Sequence, residues 1–142
     1  MDFVNPPDGK IRAILSNPTT VAVIGCSSDP NRDSLKIAKL LKSKGFRVFP
    51  VNPQLEPEAL RQELGERCYP DLNSIPDQVD IVDVFRRPEY LRDIAEEAAG
   101  KGARVLWGQL GVVNMDAADY AQKAGMTVIM DRCPAIEYSR LF

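Results

Sequence analysis

The strongest constraint on the fold is a rhythm of short β-branched apolar runs alternating with amphipathic stretches of helical period. The apolar runs are Thr20 to Gly25, Arg47 to Val51, Asp80 to Phe85, Arg104 to Trp107 and Thr127 to Met130. Each is too short for an ordinary helix, and unbroken rather than alternating hydrophobicity marks a strand covered on both faces. Between them, Ser34 to Lys44 sets Leu35, Ala38 and Leu41 against Lys36, Lys39 and Lys42, with Gly45 as its stop. Glu89 to Ala99 gathers Leu91, Ile94, Ala95 and Ala98 on one side, and Met115 to Lys123 ends at Ala124-Gly125. A leading helix over Asp8 to Ser16 follows Pro6-Pro7 and ends at Asn17-Pro18. Pro57 to Leu64 reads as a short acidic helix or an irregular excursion.

Strands alternating with helices of this length imply parallel βαβ units with right-handed crossovers. The expected fold is therefore an α/β, Rossmann-like three-layer sandwich: a five-stranded parallel sheet in the order 3-2-1-4-5 with helices on both faces. At 142 residues the chain is one domain, 1–142, and Cys68 to Gln78 is an internal loop, since a boundary there leaves too few strands behind it. The Lys36, Lys39 and Lys42 row reads as a solvated helix face.

Composition narrows the function by exclusion. There is no histidine, which removes Ser-His-Asp and Cys-His catalysis, phosphohistidine chemistry and imidazole metal ligation. Eighteen basic residues against 20 acidic ones leave a net charge of -2, too little for broad capture of nucleic acid. No apolar run reaches the ~18 residues of a membrane span. The start, MDFVNPPDGK, lacks the basic-then-apolar order of a signal peptide, so a cytoplasmic location is expected. Cys26, Cys68 and Cys133 fit neither a disulfide framework nor a zinc-ligand spacing and read as reduced thiols.

In an open parallel sheet, ligands sit beyond the carboxyl ends of the strands. That selects Gly25 to Asp33, Asn52 to Leu55, Arg86 to Pro88 and Gly108 to Asn114, with Asp131 to Pro134 at the same edge. In the first segment Gly25 permits a turn, Ser27 and Ser28 offer hydroxyls, and the amides ahead of the helix carry its positive dipole end. Arg32 adds a fork for a phosphate. A plain polar connection is the competing reading of this loop. A dinucleotide site has three glycines here and an acid at the second strand tip. This chain has one glycine, and the tip reads VNPQ, so NAD is disfavoured. Asn52-Pro53 stiffens that tip, and Phe85-Arg86-Arg87-Pro88 brings an aromatic ring and two guanidinium groups, unless the arginines only solvate a strand end.

Thiol and carboxylate chemistry compete here with plain structural roles. Cys26, just before a helix N-terminus, sits where a thiolate is favoured and a redox role is conceivable, against a small side chain packed under the turn. Cys133, beside Arg132, poses the same choice. Asp80 and Asp83 lie three apart on a strand and so face opposite sides of the sheet, which rules out a close acid dyad. Asp83 must then find hydrogen bonds of its own.

Five ordered motifs, VIGCSSDPNRDS, VFPVNPQ, DIVDVFRRPE, LWGQLGVVN and VIMDRCPAIEY, cover nearly everything from Val21 to Tyr138. Together they resemble the small single-domain CoA-binding proteins, whose domain is similar to the amino-terminal domain of the succinyl-CoA synthetase alpha subunit. The resemblance implies non-catalytic binding of coenzyme A or an acyl-CoA across the strand tips. Carried onto this chain, Gly25, Ser27, Ser28 and Arg32, with Ser34 in the same motif, meet phosphates. Val51, Asn52 and Pro53 border the adenosine end, and Val84, Phe85 and Arg86 line its other side. Gln109 and Gly111, within Gly108-Gln109-Leu110-Gly111, lie near the pantetheine path. Two positions depart from the pattern: Cys26 stands where alanine is common, and Tyr138 where histidine is. As to partners, a homodimer and a larger synthetase subunit are both open, and the apolar tail Leu141-Phe142 can pack on the domain or on a second copy. Service as a subunit of an acyl-CoA ligase or acyltransferase, and an NAD-responsive redox or regulatory role, stand as alternatives.

Overall fold

A computed structural model describes residues 3–142, and in it the five apolar runs form one parallel sheet. The strands are β1 (Thr20–Ile24), β2 (Arg47–Val51), β3 (Ile81–Val84), β4 (Val105–Gly108) and β5 (Thr127–Ile129). The helices are α1 (Asp8–Ser16), α2 (Asp33–Ser43), the single turn α3 (Arg61–Leu64), α4 (Leu91–Lys101), α5 (Met115–Lys123) and α6 (Pro134–Leu141). A 3₁₀ turn, Pro88–Tyr90, leads into α4.

Alternation along the strands divides the core in two. Val21, Val23, Val48, Ile81, Val105, Trp107 and Ile129 pack with Ile11, Leu15, Leu35, Ile37 and Leu41 from α1 and α2. Ala22, Ile24, Phe49, Val51, Val82, Val84 and Leu106 pack with Leu91, Ile94, Ala95 and Ala98 of α4 and the alanines of α5. Small alanines on α4 and α5 let these two helices lie close to each other and to the sheet, since no long side chain holds them away. The fold class is the one the sequence implies: a Rossmann-like α/β sandwich with helices on both faces.

The position of β3 differs from the expected 3-2-1-4-5. The observed order is β2-β1-β3-β4-β5, so β3 lies between β1 and β4 and β2 is an edge. Pro50 supplies the reason. The carbonyl of its neighbour Val51 faces β1, accepting from Gly25 N at 2.8 Å, while the carbonyl of Pro50 faces the other way. The nitrogen of Pro50, which has no hydrogen to give, points to the outer side with it. A strand with a missing donor on one side belongs at an edge. Among the described residues a short stretch around Tyr69 lies on that side, where Tyr69 N donates to Pro50 O at 2.9 Å and Asn52 N to Tyr69 O at 2.9 Å. The far edge is blunted too, by the Asn5 side-chain amide, which pairs with both the N–H and the carbonyl of Met130 at 2.9 Å.

Helix α6 was not foreseen: the segment after β5 was read only as a ligand-edge loop. Pro134 opens it at a first-turn position where its missing N–H costs nothing. Tyr138 and Leu141 pack on the α1 side of the core, and Tyr138 OH donates to Leu15 O at 3.2 Å. The tail folds back on the domain: the Phe142 ring lies 5.5 Å from that of Tyr138, with Arg12 5.0 Å over it.

Candidate functional site

With β3 beside β1, the crossovers from β1 and from β3 leave in opposite directions, one through α2 and the other through α4. The crevice where they part lies over the tip of β1, and such switch points are where open α/β sheets take ligands. Gly25 stands at its centre. Its φ is +82°, and a β-carbon there would lie 2.7 Å from the Phe85 carbonyl oxygen and 3.1 Å from Arg86 Cδ. Only glycine allows the two strand tips to come this close.

Two clefts meet at Gly25. The first, about 580 Å³, runs to the start of α2 and is lined by Ser27, Asn31, Arg32, Asp33, Ser34, Asn52, Gln54 and Phe85. Its turn is held by its own side chains. Ser34 Oγ accepts from Ser27 N, Ser27 Oγ from Asp29 N, and Asp29 Oδ1 from Asn31 N, each at 2.9 Å. Asn52 fastens the β2 tip to it, donating from Nδ2 to Cys26 O at 3.0 Å while its Oδ1 accepts from Gln54 N at 2.9 Å. Among the described residues the N–H groups of Ser28, Asp33 and Ser34 have no acceptor. These are the free donors that a helix start offers an anion, and the exposed Arg32 stands beside them.

The second cleft, about 260 Å³, lies on the α4 side and shares Gly25 with the first. Ile24, Val51, Leu72 and Ile94 make an apolar floor, Pro53 and Pro70 flank it, and Asp71, Asp93 and Glu97 stand on its wall. Arg86 lines this cleft, with its guanidinium 4.6 Å above the Tyr90 ring.

Of the residues singled out from sequence, the structure brings Gly25, Ser27, Arg32, Ser34, Asn52 and Phe85 to the first cleft and Val51, Pro53 and Arg86 to the second. Ser28 is exposed in the turn, and Val84 is buried in the core. Gln109 and Gly111 line neither cleft. Gln109 is buried, its amide donating to Asp83 Oδ1, and Gly111 N donates to Asp131 Oδ1 at 2.8 Å. Tyr90, Asp93 and Glu97 were missed because the α4 segment was read only for its apolar stripe. Their spacing was the available signal, since Tyr90, Asp93, Ile94 and Glu97 fall at i, i+3, i+4 and i+7.

Burial decides the thiols and the odd carboxyl. Cys26 is 0% exposed, and desolvation, with smaller contributions from Cys68 and Asp83, pushes its pKa up to about 12. The packed reading of Cys26 is the one the structure supports: the side chain sits on the α2 side of the core, where its desolvation outweighs the helix dipole. Asp83 lies on the same face, 1% exposed, and its Oδ2 has no partner among the described residues. Burial pushes its carboxyl up to about 7, against the lowering effect of the Gln109 hydrogen bond. At neutral pH it is partly protonated, a buried group that neither cleft includes.

Comparison with known proteins falls in with this geometry. A family model described as a CoA binding domain matches residues 19–139. The chain belongs to this CoA binding domain family. Within reach of the family, uncharacterized protein YneT of Bacillus subtilis is 36% identical over 135 residues, spanning 95% of this chain and 96% of that protein. The alpha subunit of the ADP-forming acetate–CoA ligase II of Pyrococcus furiosus is 28% identical over 131 residues. That match covers 84% of this chain but 28% of the subunit, so the chain corresponds to about a quarter of the ligase subunit. Among solved structures, a Thermus thermophilus protein, cell-free ID.343, superposes with a TM-score of 0.88 at 35% identity, covering 96% of this chain and 100% of that one. A hypothetical protein from Pyrococcus horikoshii OT3 gives 0.86 at 36% identity, covering 99% of each. Among the described residues no helix is long and apolar enough to cross a membrane, and no group of acidic or cysteine side chains is placed to hold a metal ion.

Proposed function

We propose that this chain is a cytoplasmic module that binds coenzyme A or an acyl-CoA without transforming it. The observation that carries the reading is the first cleft: unpartnered N–H groups at the start of α2, Arg32 beside them, and a glycine cradle at the β1/β3 tip, in a chain of the CoA binding domain family. Phosphates fit the first cleft, where free donors and the helix dipole favour negative charge. The nucleoside end fits the second, with Pro53 and Arg86 at the boundary. The chain has no histidine, so a phosphohistidine step has no residue to occur on.

Calorimetric titration of the purified chain with CoA, acetyl-CoA, ATP and NAD tests this. Saturable heat is expected with CoA and acetyl-CoA, and weaker binding with NAD. No heat with either CoA species, or tighter binding of NAD, sinks the reading.

A further inference from the structure

The second cleft is built differently from the first. Tyr90, Asp93, Ile94 and Glu97 form a single stripe along α4 and its lead-in turn, and Asp71 closes the opposite side of the wall. Among the described residues none of the three carboxylates has a salt-bridge partner, and Arg86, which lines the same cleft, places its guanidinium over Tyr90. Asp71 accepts from Ser74 N at 2.8 Å, which leaves its second oxygen for other donors. The proton affinity of Glu97 is raised, first by burial and then by Asp71 and Asp93, so the three crowd one another. The three carboxylates are not grouped closely enough to hold a metal ion.

An ionised carboxylate only accepts hydrogen bonds. A wall of acceptors above an apolar floor suits a flat ring system whose faces are apolar and whose edge carries N–H donors. Across Gly25 the other cleft has the opposite polarity, with free N–H donors and Arg32. A ligand with phosphates at one end and an amino-bearing base at the other is thus held in one direction only. The nature of the base matters as well: a 6-aminopurine turns a donor toward Asp93 and Glu97, and a purine without that amino group offers them none along the same edge.

Resting on the reading that CoA binds here, we propose that Asp93 and Glu97 are specificity-determining residues that read the 6-amino group of the base and favour a 6-aminopurine over a purine without it. The test uses CoA and its analogue with unsubstituted purine, which lacks the 6-amino group, in place of adenine, titrated into the natural chain and into the Asp93→Ala/Glu97→Ala double variant. Both positions are exposed on α4, and the thermal midpoint of the variant reports whether it is folded. The natural chain is expected to bind CoA at least ~10-fold more tightly than the analogue, the scale of one hydrogen bond to a charged group. In the double variant the preference should fall to within about twofold. As a second variant, Glu97→Lys puts a donor on the wall and should tip the ratio toward the analogue. Equal affinity of the natural chain for both ligands overturns the inference, as does a preference that survives unchanged in folded variants. If neither ligand binds the natural chain, the proposed function fails and this inference with it.

Discussion

Gly25 shows how one residue sets the site. Its left-handed φ of +82° and the 2.7 Å that would separate a β-carbon from the Phe85 carbonyl mean that Gly25→Ala must strain the turn and push β3 away. A loss of ~1–3 kcal/mol is expected in urea denaturation, with CoA affinity falling alongside. Arg32 bears on the ligand alone: it is exposed at the first cleft, so Arg32→Ala should leave the urea midpoint in place and weaken CoA by ~1–3 kcal/mol in calorimetry. Asp83 governs pH dependence. Its carboxyl titrates near 7 in the fold against 3.8 for the free group, so between those values the unfolded chain gives up its proton first. The stabilising contribution is full below pH ~4 and lost as pH rises through 7. Comparing unfolding free energies from urea titrations at pH 5 and pH 8, the natural chain should lose roughly 2.5 kcal/mol more than Asp83→Asn, at ~1.4 kcal/mol per unit of pKa. Equal losses would show that Asp83 is ionised without cost. That Asp83 needs hydrogen bonds is legible in the sequence, but that its side-chain bond among the described residues comes from Gln109, just past the end of β4, depends on β3 and β4 being neighbours.

At the level of elements, strand order shows which sequence signals reach beyond local structure. The existence of the five strands was legible from their unbroken apolar runs, because burial on both faces leaves no other composition possible. Their order was not legible from those runs, which are alike. Pro50 distinguishes one of them: a strand that lacks a donor on one side is poorly suited to a full neighbouring strand there, and β2 carries on that side a short bridge at Tyr69, as an edge strand does. The correction matters for the site, since it sets Phe85 and Arg86 against Gly25. Helix α6 was missed for a different reason, its apolar residues being few and partly exposed. What anchors it is charge. Arg140 forks between Asp8 of α1, at 2.7 and 2.8 Å, and Glu137, at 2.9 and 3.2 Å, while Glu137 is 1% exposed and also lies 3.5 Å from Arg132. Arg140→Ala leaves a buried carboxylate with one distant partner. A loss of ~1–3 kcal/mol is expected, read as a lower urea midpoint with faster hydrogen exchange in α6 than in the strands.

Across the whole molecule, the sheet supplies a rigid frame and the strand tips supply two clefts of opposite polarity about one glycine. The first cleft was legible because its parts are contiguous in the chain, from Gly25 to Ser34. The second was not, because it is assembled from the tip of β2, the loop after Tyr69 and one face of α4, which only the fold brings together. On the proposed reading both clefts take the nucleotide end of CoA, while Gln109 and Gly111, assigned by resemblance to the pantetheine path, lie outside them. Binding energy should therefore come mainly from the nucleotide. Any ligand that binds only the folded chain raises its stability, by ~2.7 kcal/mol at a hundredfold excess over Kd, which in a domain of this size moves the thermal midpoint by roughly 8–12 °C. CoA should give such a shift, and adenosine 3′,5′-bisphosphate most of it, because it keeps the base and two phosphates. Pantetheine at equal concentration should leave the midpoint where it is. A shift from pantetheine without one from the bisphosphate would move the grip to the far side of the sheet edge, toward Gln109, and take the two clefts at Gly25 out of the binding site.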